Sequence, residues 1–244
     1  MKFKKFNSIE NSYQKDFIKS IYHNDFDKVE YIVQEKVHGA NFSLITDGVH
    51  VLSAKRTELI SDTENFYNSK GIVSIYEDKL KALFEHLSTT RTIKSLTVFG
   101  ELFGGGYPHK DVQEVRGAKI VQRGIYYNPN NDFIAFDILI NGEEYLGVKI
   151  ANELFEKFNF IYAKTLFSGS LEDCLAYSNE FKTTIPEIYE LPELEGNICE
   201  GVVIRPEKTF FFKSGSRVLI KNKNESWSEN NNYIDKAILN KLLN

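Results

Sequence analysis

The chain has 244 residues, 42% of them hydrophobic, so it can bury a core and is not expected to be disordered. Its formal net charge of -4 excludes a broad basic surface that coats nucleic acid, although a local basic groove remains possible. The sequence shows neither a run of about 18 apolar residues nor a signal peptide, so we expect a soluble, cytoplasmic protein without a membrane partner.

Strand patterns dominate the chain. Segments rich in β-branched and aromatic residues predict strands at 30–37, 41–46, 49–55, 95–103, 132–140, 199–206 and 217–223. The second and third are joined by "DG", which predicts a hairpin with a two-residue turn. Apolar residues at helical spacing predict helices at 72–88, 147–160 and 170–181. Turn-forming residues predict loops at 104–111, 127–132 and 190–197.

These elements predict an α+β fold built on antiparallel sheets flanked by helices. We expect one domain over residues 1–225, because no internal repeat or low-complexity linker divides that stretch. Residues 226–244 contain an asparagine-rich segment and then apolar residues at helical spacing, which predict a polar hinge and a short C-terminal helix. We expect no separate C-terminal domain.

The segment "EKVHGAN", residues 35–41, interrupts an apolar, strand-like background with polar residues. If the strand continues through it, Lys36 and His38 share one strand face, because side chains alternate. Gly39 then predicts a bend that needs a positive φ or a close approach of the backbone to a ligand. A surface lysine beside a turn is the simpler alternative, since this spacing recurs by chance.

Other predicted strands carry charged residues where aliphatic residues are usual. Glu101 lies within "TVFGELFGGG", and "CEGVVIRP" begins with Glu200 and ends with Arg205. Lys221 and Lys223 share one face of the last strand. Because a buried charge is costly unless it is paired or liganded, these residues predict a shared anionic ligand.

Six motifs in chain order carry a family resemblance: "EKVHGAN", "SAKR", "FGELFGG", "FIAFDI", "EGVVIRP" and "LIKNKN". They resemble the nucleotidyltransferase motifs of the covalent polynucleotide ligase and capping enzyme superfamily, and specifically the RNA ligase 2 family with its relatives, the RNA editing ligases. The resemblance covers about residues 1–225. It implies a nucleotidyltransferase domain, similar to ATP-grasp-like ligases, and the activity of an ATP-dependent RNA ligase.

The resemblance also implies which residues carry the chemistry. Lys36 matches the nucleophile that attacks the α-phosphorus of ATP, releases pyrophosphate and holds AMP as lysyl-AMP. Lys221 and Lys223 match the pair that grips the α-phosphate, and Glu200 matches an acid associated with a divalent metal, Mg²⁺ or Mn²⁺. A lysine in water is mostly protonated at neutral pH, so neighbouring positive charge would help to supply the neutral amine.

Further matching residues are implied to bind the nucleotide or the RNA. Glu35 and Val37 would help to form the adenine pocket, Phe136 would stack on adenine, and Glu101 would bind the ribose. Asn41 and Arg56 match residues that contact the nucleotide or the RNA 5′-phosphate, and His38 and Arg205 would contact the substrate. The implied partners are RNA ends, in nicked or duplex RNA: AMP passes to a 5′-phosphate, and a 3′-hydroxyl then displaces it.

Two departures from the family pattern qualify these expectations. Arg205 stands where the family usually has lysine, which changes the geometry of its hydrogen bonds. The chain ends about twenty residues after the last motif, whereas better known relatives carry a C-terminal domain. We therefore expect a minimal ligase, a truncated chain or an enzyme that works with a separate RNA-binding partner.

Alternative functions remain open at this point. They are a DNA ligase, a capping-type enzyme that uses GTP, and a non-catalytic relative that binds nucleotide or RNA. The preferred RNA end, whether nick, splinted break or stem-loop, is also open. The segment "KTFFFKSGS", residues 208–216, is expected to pack its phenylalanines, although lining an RNA groove is an alternative.

Overall fold

The computed structural model describes residues 1–227; from residue 228 on, the predicted hinge and C-terminal helix lie outside the described residues. Backbone contacts divide the chain into two compact units. Unit 1 comprises Met1–Phe6, His38–Ala163 and Thr183–Asn197, and unit 2 comprises Asn7–Val37, Lys164–Lys182 and the chain from Ile198 on. The expectation of one domain over residues 1–225 stays a prediction.

Strands outnumber helices in the described residues. The strands are β1 (Glu10–Asn11), β2 (Tyr31–Glu35), β3 (Ala40–Thr46), β4 (Val51–Lys55), β5 (Leu96–Gly106), β6 (Asn128–Ile140), β7 (Glu144–Tyr145), β8 (Thr165–Gly169), β9 (Gly201–Pro206) and β10 (Ile220–Lys223). The α-helices are α1 (Lys15–His23), α2 (Ser69–Ser88), α3 (Val148–Lys157), α4 (Leu171–Leu175) and α5 (Ile185–Ile188). None of these helices combines the length and the apolar composition that crossing a membrane requires.

Unit 1 is built on an antiparallel sheet in the order β4-β3-β5-β6-β7. One face of this sheet is covered by α2 and α3, whose buried side chains, such as Leu80 and Phe155, join Leu44, Val98 and Phe133 in one apolar cluster. The opposite face carries the alternate residues of the same strands. Apolar residues at a spacing of two in the strands and of three to four in α2 therefore build one core.

Unit 2 has a second sheet, in the order β1-β10-β9-β2-β8. Only the short β1–β10 pair is parallel among the described strands of this sheet. Its apolar face packs against α1 and α4, where Ile21 and Leu171 join Val33, Ile204 and Ile220 in a cluster. The antiparallel sheets and flanking helices of the two units confirm the predicted α+β class.

All the predicted strands are present, but the predicted two-residue hairpin turn is wrong. The connection between β3 and β4 is the four residues 47–50, because Thr46 pairs with Val51. The Asp47 carboxylate accepts from the backbone N–H of Val49 at 3.0 Å and of His50 at 2.8 Å. An aspartate that bonds its own following backbone makes a wider turn than the "DG" pair predicts.

The predicted helices at 72–88 and 147–160 are confirmed, with small differences at their ends. The helix predicted at 170–181 is wrong beyond Leu175. Ser170 caps it as expected, accepting from the N–H of Asp173 at 3.1 Å, but Tyr177 stacks on Phe167 with ring centroids 5.7 Å apart. The chain leaves the helix after Leu175, and the Tyr177 ring then lies against the Phe167 ring of β8.

Two predicted loops are partly strand. Gly104 pairs with Asn131 and Gly106 with Asn128, so the glycine run and the segment "NPNND" extend β5 and β6. Sequence rules treat such residues as turn formers, but here the glycines form an irregularity in the ladder between Gly104 and Gly106.

Candidate active site

Two lysines and one glutamate form an ion cluster in unit 2. Nζ of Lys36 lies 2.7 Å from Oε2 of Glu200, and Nζ of Lys223 lies 3.1 Å from Oε1 of the same carboxylate. The side chains are 19%, 3% and 16% exposed for Lys36, Glu200 and Lys223, so the carboxylate is the most deeply buried of the three. The predicted nucleophile and one member of the predicted lysine pair therefore share a single carboxylate.

Neighbouring strands of the unit 2 sheet bring these residues together. Lys36 directly follows β2, and its backbone N–H donates to the carbonyl oxygen of Gly201 at 2.9 Å. Gly201 begins β9 and pairs with Lys223 at the end of β10. Because adjacent strands are antiparallel, the end of β2, the start of β9 and the end of β10 lie side by side.

Gly201 is required where β9 begins. Its φ is +140°, and a Cβ there would collide with the carbonyl oxygen of Asn222 and lie 2.7 Å from Cα of Lys223. The neighbouring Asn224 donates its backbone N–H to the carbonyl oxygen of Glu200 at 3.1 Å. A glycine and an asparagine thus fix the backbone that carries the Glu200 carboxylate.

The strand face that carries the lysines is strongly cationic. The prediction that Lys221 and Lys223 share a face is confirmed, because they pair with Val203 and Gly201, which are two apart in β9. Arg205 lies on the same face of β9 and is 2% exposed. Positive side chains thus line this face on both strands, as expected for a site that binds phosphates.

Glu35 and Val37 flank Lys36, the predicted nucleophile, and are both buried. Glu35 pairs with Val202 and lies on the face of β2 that carries the apolar core, because it alternates with Gln34. The adjacent Cys199 is buried too, and burial raises the pKa of its thiol to about 11. The thiol is therefore neutral at physiological pH and adds no charge beside Glu200. The adenine-pocket roles of Glu35 and Val37 stay predictions.

In unit 1, two predicted nucleotide contacts lie opposite each other. Asn41 of β3 pairs directly with Glu101 of β5. Directly opposite residues of an antiparallel pair present their side chains on the same face, with Cβ atoms about 5 Å apart. This is the face away from Phe42 and Leu102, which belong to the unit 1 core. An amide and a carboxylate are suited to hydrogen-bond the hydroxyls or edges of a nucleoside.

Phe136 occupies a β-bulge of β6. Phe99 of β5 pairs with Asp137, whereas Gly100 pairs with Ala135, so Phe136 is the extra residue of the ladder. Its ring is half-buried and meets the ring of Phe6 edge-on, with centroids 5.0 Å apart. Bulges redirect side chains and are common beside active sites. Neither the bulge nor the contact with Phe6 was predicted, because strict alternation hides the first and no local pattern indicates the second.

The positive φ that was one of the two expectations for Gly39 is wrong, and a close approach of its backbone to a ligand stays a prediction. Its φ is not positive, and a Cβ there would collide with the carbonyl oxygen of Leu102 and lie 2.7 Å from Cγ of Glu101. Position 39 has no room for a larger side chain, because β5 lies against it. The expected alternation of Lys36 and His38 also fails, since β2 ends at Glu35 before either residue.

The remaining predicted contacts lie at the ends of unit 1 strands. His38 donates its backbone N–H to the hydroxyl of the buried Tyr127 at 2.9 Å, which fixes the chain just before β3. Arg56 directly follows β4 and is exposed, so its guanidinium is accessible to a solvent-borne anion. Their roles stay predictions.

A divalent metal would find a sparse protein site. Residues 1–227 contain no group of three or more His, Cys, Asp and Glu side chains placed to hold an ion. Glu200 offers a carboxylate that contacts Lys36. Mg²⁺ is usually held by one or two carboxylates together with substrate phosphates and water, so one glutamate on a phosphate-binding face fits such an ion.

Comparison with known proteins decides the family. The RNA ligase family model matches residues 29–223, which include the ion cluster and all the predicted site residues. The chain belongs to the RNA ligase family. The resemblance seen in the sequence motifs is therefore confirmed at the level of the family.

Relatives of this RNA ligase family member include two trypanosome proteins. RNA-editing ligase 1, mitochondrial, of Trypanosoma brucei brucei is 32% identical over 220 residues, covering 77% of this chain and 47% of the relative. RNA-editing ligase 2, mitochondrial, of Trypanosoma brucei brucei is 31% identical over 201 residues, covering 72% of this chain and 48% of the relative. The chain thus spans about half the length of the relatives it matches.

Solved structures show the same fold. The Naegleria gruberi RNA ligase with PPi has a TM-score of 0.59 and 14% identity, covering 92% of this chain and 57% of that one. A mutant of the same ligase with ATP and Mn has a TM-score of 0.58 and 16% identity, with the same coverage. The predicted nucleotidyltransferase fold is confirmed by this likeness.

Proposed function

We propose that this chain is an ATP-dependent RNA ligase that forms lysyl-AMP on Lys36. The observation that carries the proposal is the contact of Lys36 and Lys223 with the two oxygens of Glu200, at 2.7 and 3.1 Å. Support comes from the family, from relatives named RNA-editing ligases and from a similar fold solved with ATP and Mn.

Lys36 acts as the nucleophile of the first step. Its amine must lose a proton and leave the Glu200 carboxylate before its lone pair attacks the α-phosphorus of ATP. An N–P bond then forms, the bond to pyrophosphate breaks, and AMP stays on Lys36.

Lys223 and Lys221 stabilise the charge that develops on the α-phosphate. Both lie on the strand face that leads to Lys36, and the Lys223 ammonium is held by the Glu200 carboxylate at 3.1 Å. Preorganised positive charge is the main contribution that a protein makes to phosphoryl transfer, which needs positioning more than a general base. Glu200 would hold a divalent ion together with nucleotide phosphates, and that ion would supply charge neutralisation at those phosphates.

RNA ends are the proposed substrate of the later steps. AMP passes from Lys36 to a 5′-phosphate, and a 3′-hydroxyl then displaces AMP to form a phosphodiester. Nicked or duplex RNA and a separate RNA-binding partner remain part of this proposal. The cytoplasmic location stays a prediction, and the trypanosome relatives are named mitochondrial.

Self-adenylylation tests the proposal directly. The wild-type chain is incubated with α-labelled ATP and Mg²⁺, and a labelled protein band that survives denaturation is expected. Labelling by α-labelled GTP in parallel reactions would indicate a capping-type enzyme. Efficient sealing of a strand with a 2′-deoxy 3′-end would indicate a DNA ligase, because an RNA ligase requires the 2′-hydroxyl. Binding of ATP without a covalent band would instead indicate a non-catalytic relative.

A further inference from the structure

A tight hairpin lies between β9 and β10 of unit 2. Over residues 207–217, Phe211 pairs with Arg217, and the N–H of Phe212 donates to the carbonyl oxygen of Ser216 at 2.9 Å. The turn closes when the N–H of Gly215 donates to the carbonyl oxygen of Phe212 at 2.9 Å, with a φ of +85° at Gly215. The structure therefore holds this hairpin in a defined conformation.

Two of its three successive phenylalanines anchor the hairpin to unit 2. The Phe210 ring lies 5.0 Å from the Phe26 ring, and the Phe212 ring lies 5.4 Å from Phe26 and 5.5 Å from Phe17. All four rings pack against the apolar core of the unit. Because side chains alternate along a strand, the intervening Phe211 lies on the opposite face.

Exposed positive charge lies near the Phe211 ring. Phe211 is 42% exposed, and Lys208 and Lys213, three residues before it and two after it, are exposed as well. Arg217, which pairs with Phe211 across the hairpin, is buried and donates to the Thr209 hydroxyl at 2.8 Å, so the exposed cations of the hairpin are the two lysines. An exposed ring between flexible cations is the combination with which proteins bind single-stranded nucleic acid, since bases stack and phosphates pair with ammonium groups.

We infer that the 207–217 hairpin binds a single-stranded segment of RNA, with Phe211 stacked on an unpaired base and Lys208 and Lys213 at flanking phosphates. This inference rests on the proposed function, because RNA ends are the substrate of that reaction. The hairpin residues are not the residues that form the Lys36 ion cluster. The hairpin thus contributes to RNA binding and sealing but not to the formation of lysyl-AMP.

Binding of a fluorescein-labelled single-stranded oligoadenylate to the full chain tests the inference by anisotropy. Phe211→Ala is expected to weaken binding about 5- to 150-fold, the equivalent of about 1–3 kcal/mol for one stacked base at tenfold per 1.4 kcal/mol. The slope of log affinity against log salt stays unchanged in that variant. Lys208→Gln with Lys213→Gln is expected to lower the slope by about 1.4, or about 0.7 for each lost phosphate contact.

A matched control is Phe167→Ala, which removes an exposed phenylalanine of unit 2, 37% exposed, that stacks on Tyr177. It should bind RNA as the wild type does. Phe211→Tyr keeps a stacking ring and should retain affinity. Labelling by α-labelled ATP should be unchanged in every variant, which separates this inference from the proposed function.

Wild-type affinity in Phe211→Ala would overturn the inference while leaving lysyl-AMP formation intact. A Phe211-dependent dimer, detected by analytical ultracentrifugation with RNA affinity unchanged, would assign the hairpin to contact between copies of the chain. If Phe211→Ala loses RNA binding and also melts at a lower temperature, Phe211→Tyr decides the cause. Binding restored in Phe211→Tyr supports stacking. A folded Phe211→Tyr protein that does not bind RNA contradicts it.

Discussion

In unit 2 three predicted site residues form direct ion pairs, whereas in unit 1 several predicted site residues are placed by the pairing of strands. Lys36, Glu200 and Lys223 form direct ion pairs. Asn41 and Glu101 are opposite one another on a ladder, and Phe136 protrudes from a bulge. Under the proposed function, we expect the unit 2 residues to serve the reaction at phosphorus and the unit 1 residues to serve recognition.

The largest effect should come from the nucleophile of unit 2. Lys36→Ala is expected to reduce labelling by α-labelled ATP to background, because no other group replaces its amine. Lys81→Ala is the matched control, since Lys81 forms a 2.6 Å ion pair with Glu77 in unit 1. Labelling of the Lys36 variant at the wild-type rate would assign the nucleophile elsewhere.

Glu200→Gln tests the centre of the ion cluster. The change keeps the shape of the side chain but removes the charge shared by Lys36 and Lys223, and the rate of labelling should fall on the order of 10²–10³-fold. The free energy of unfolding should fall by about 1–3 kcal/mol, because two mostly buried ammonium groups lose their carboxylate. Rates are measured in single turnover and stability in urea. An unchanged rate would show that the cluster is structural only.

Gly201→Ala separates backbone geometry from charge in unit 2. Its Cβ would collide with the backbone of β10, so we expect the free energy of unfolding to fall by about 3 kcal/mol. Gly117→Ala is the control, because Gly117 also has a positive φ, +86°, but has nothing within 4 Å of the added Cβ. Equal losses in the two variants would mean that φ strain, and not the close approach of β10, makes glycine necessary.

Phe136→Ala tests recognition in unit 1. The ATP concentration for half-maximal labelling should rise about 5- to 150-fold, the range expected for one lost base stack, while the rate at saturating ATP changes little. Phe158→Ala removes another half-buried phenylalanine of unit 1 and should leave both values unchanged. If only the labelling rate at saturating ATP falls, Phe136 contributes to the chemical step and not to recognition of the nucleotide.

The smallest effect concerns the hairpin of unit 1. The backbone N–H groups of His50 and Val49 hold the pKa of Asp47 at about 2, below its usual value of 3.8. A lowered pKa stabilises the fold above the usual pKa, and that contribution is lost as the pH falls from about 4 to about 2. Thermal melts should therefore show Asp47→Asn less stable than the wild type at pH 6, with the gap closing at pH 2. A constant gap would contradict a charge effect.

Strand identity and strand faces were predictable because side chains alternate regardless of distant contacts. Lys221 and Lys223 show this, since a spacing of two was enough to place them on one face. The contact between Lys36 and Glu200 joins residues 164 positions apart, and neither the motifs nor the family resemblance predicted it. No local pattern encodes which strands become neighbours.

Errors arose where one residue departs from the regular pattern. The bulge at Phe136 adds a residue to β6, which strict alternation cannot represent. Asp47 widens the hairpin through its own side chain, and Gly39 is small because β5 packs against it. In each case a tertiary or side-chain contact overrides a rule that considers only the neighbouring residues.

The carboxylate between Lys36 and Lys223 has a consequence for the resting protein. An amine engaged as an ammonium with a buried carboxylate is shielded from acylating and carbamylating molecules, which attack only the free base. Reagents that modify exposed lysines should therefore spare the nucleophile while the pair is intact. Under the proposed function, the contact that opens for reaction with ATP would also protect Lys36 between turnovers.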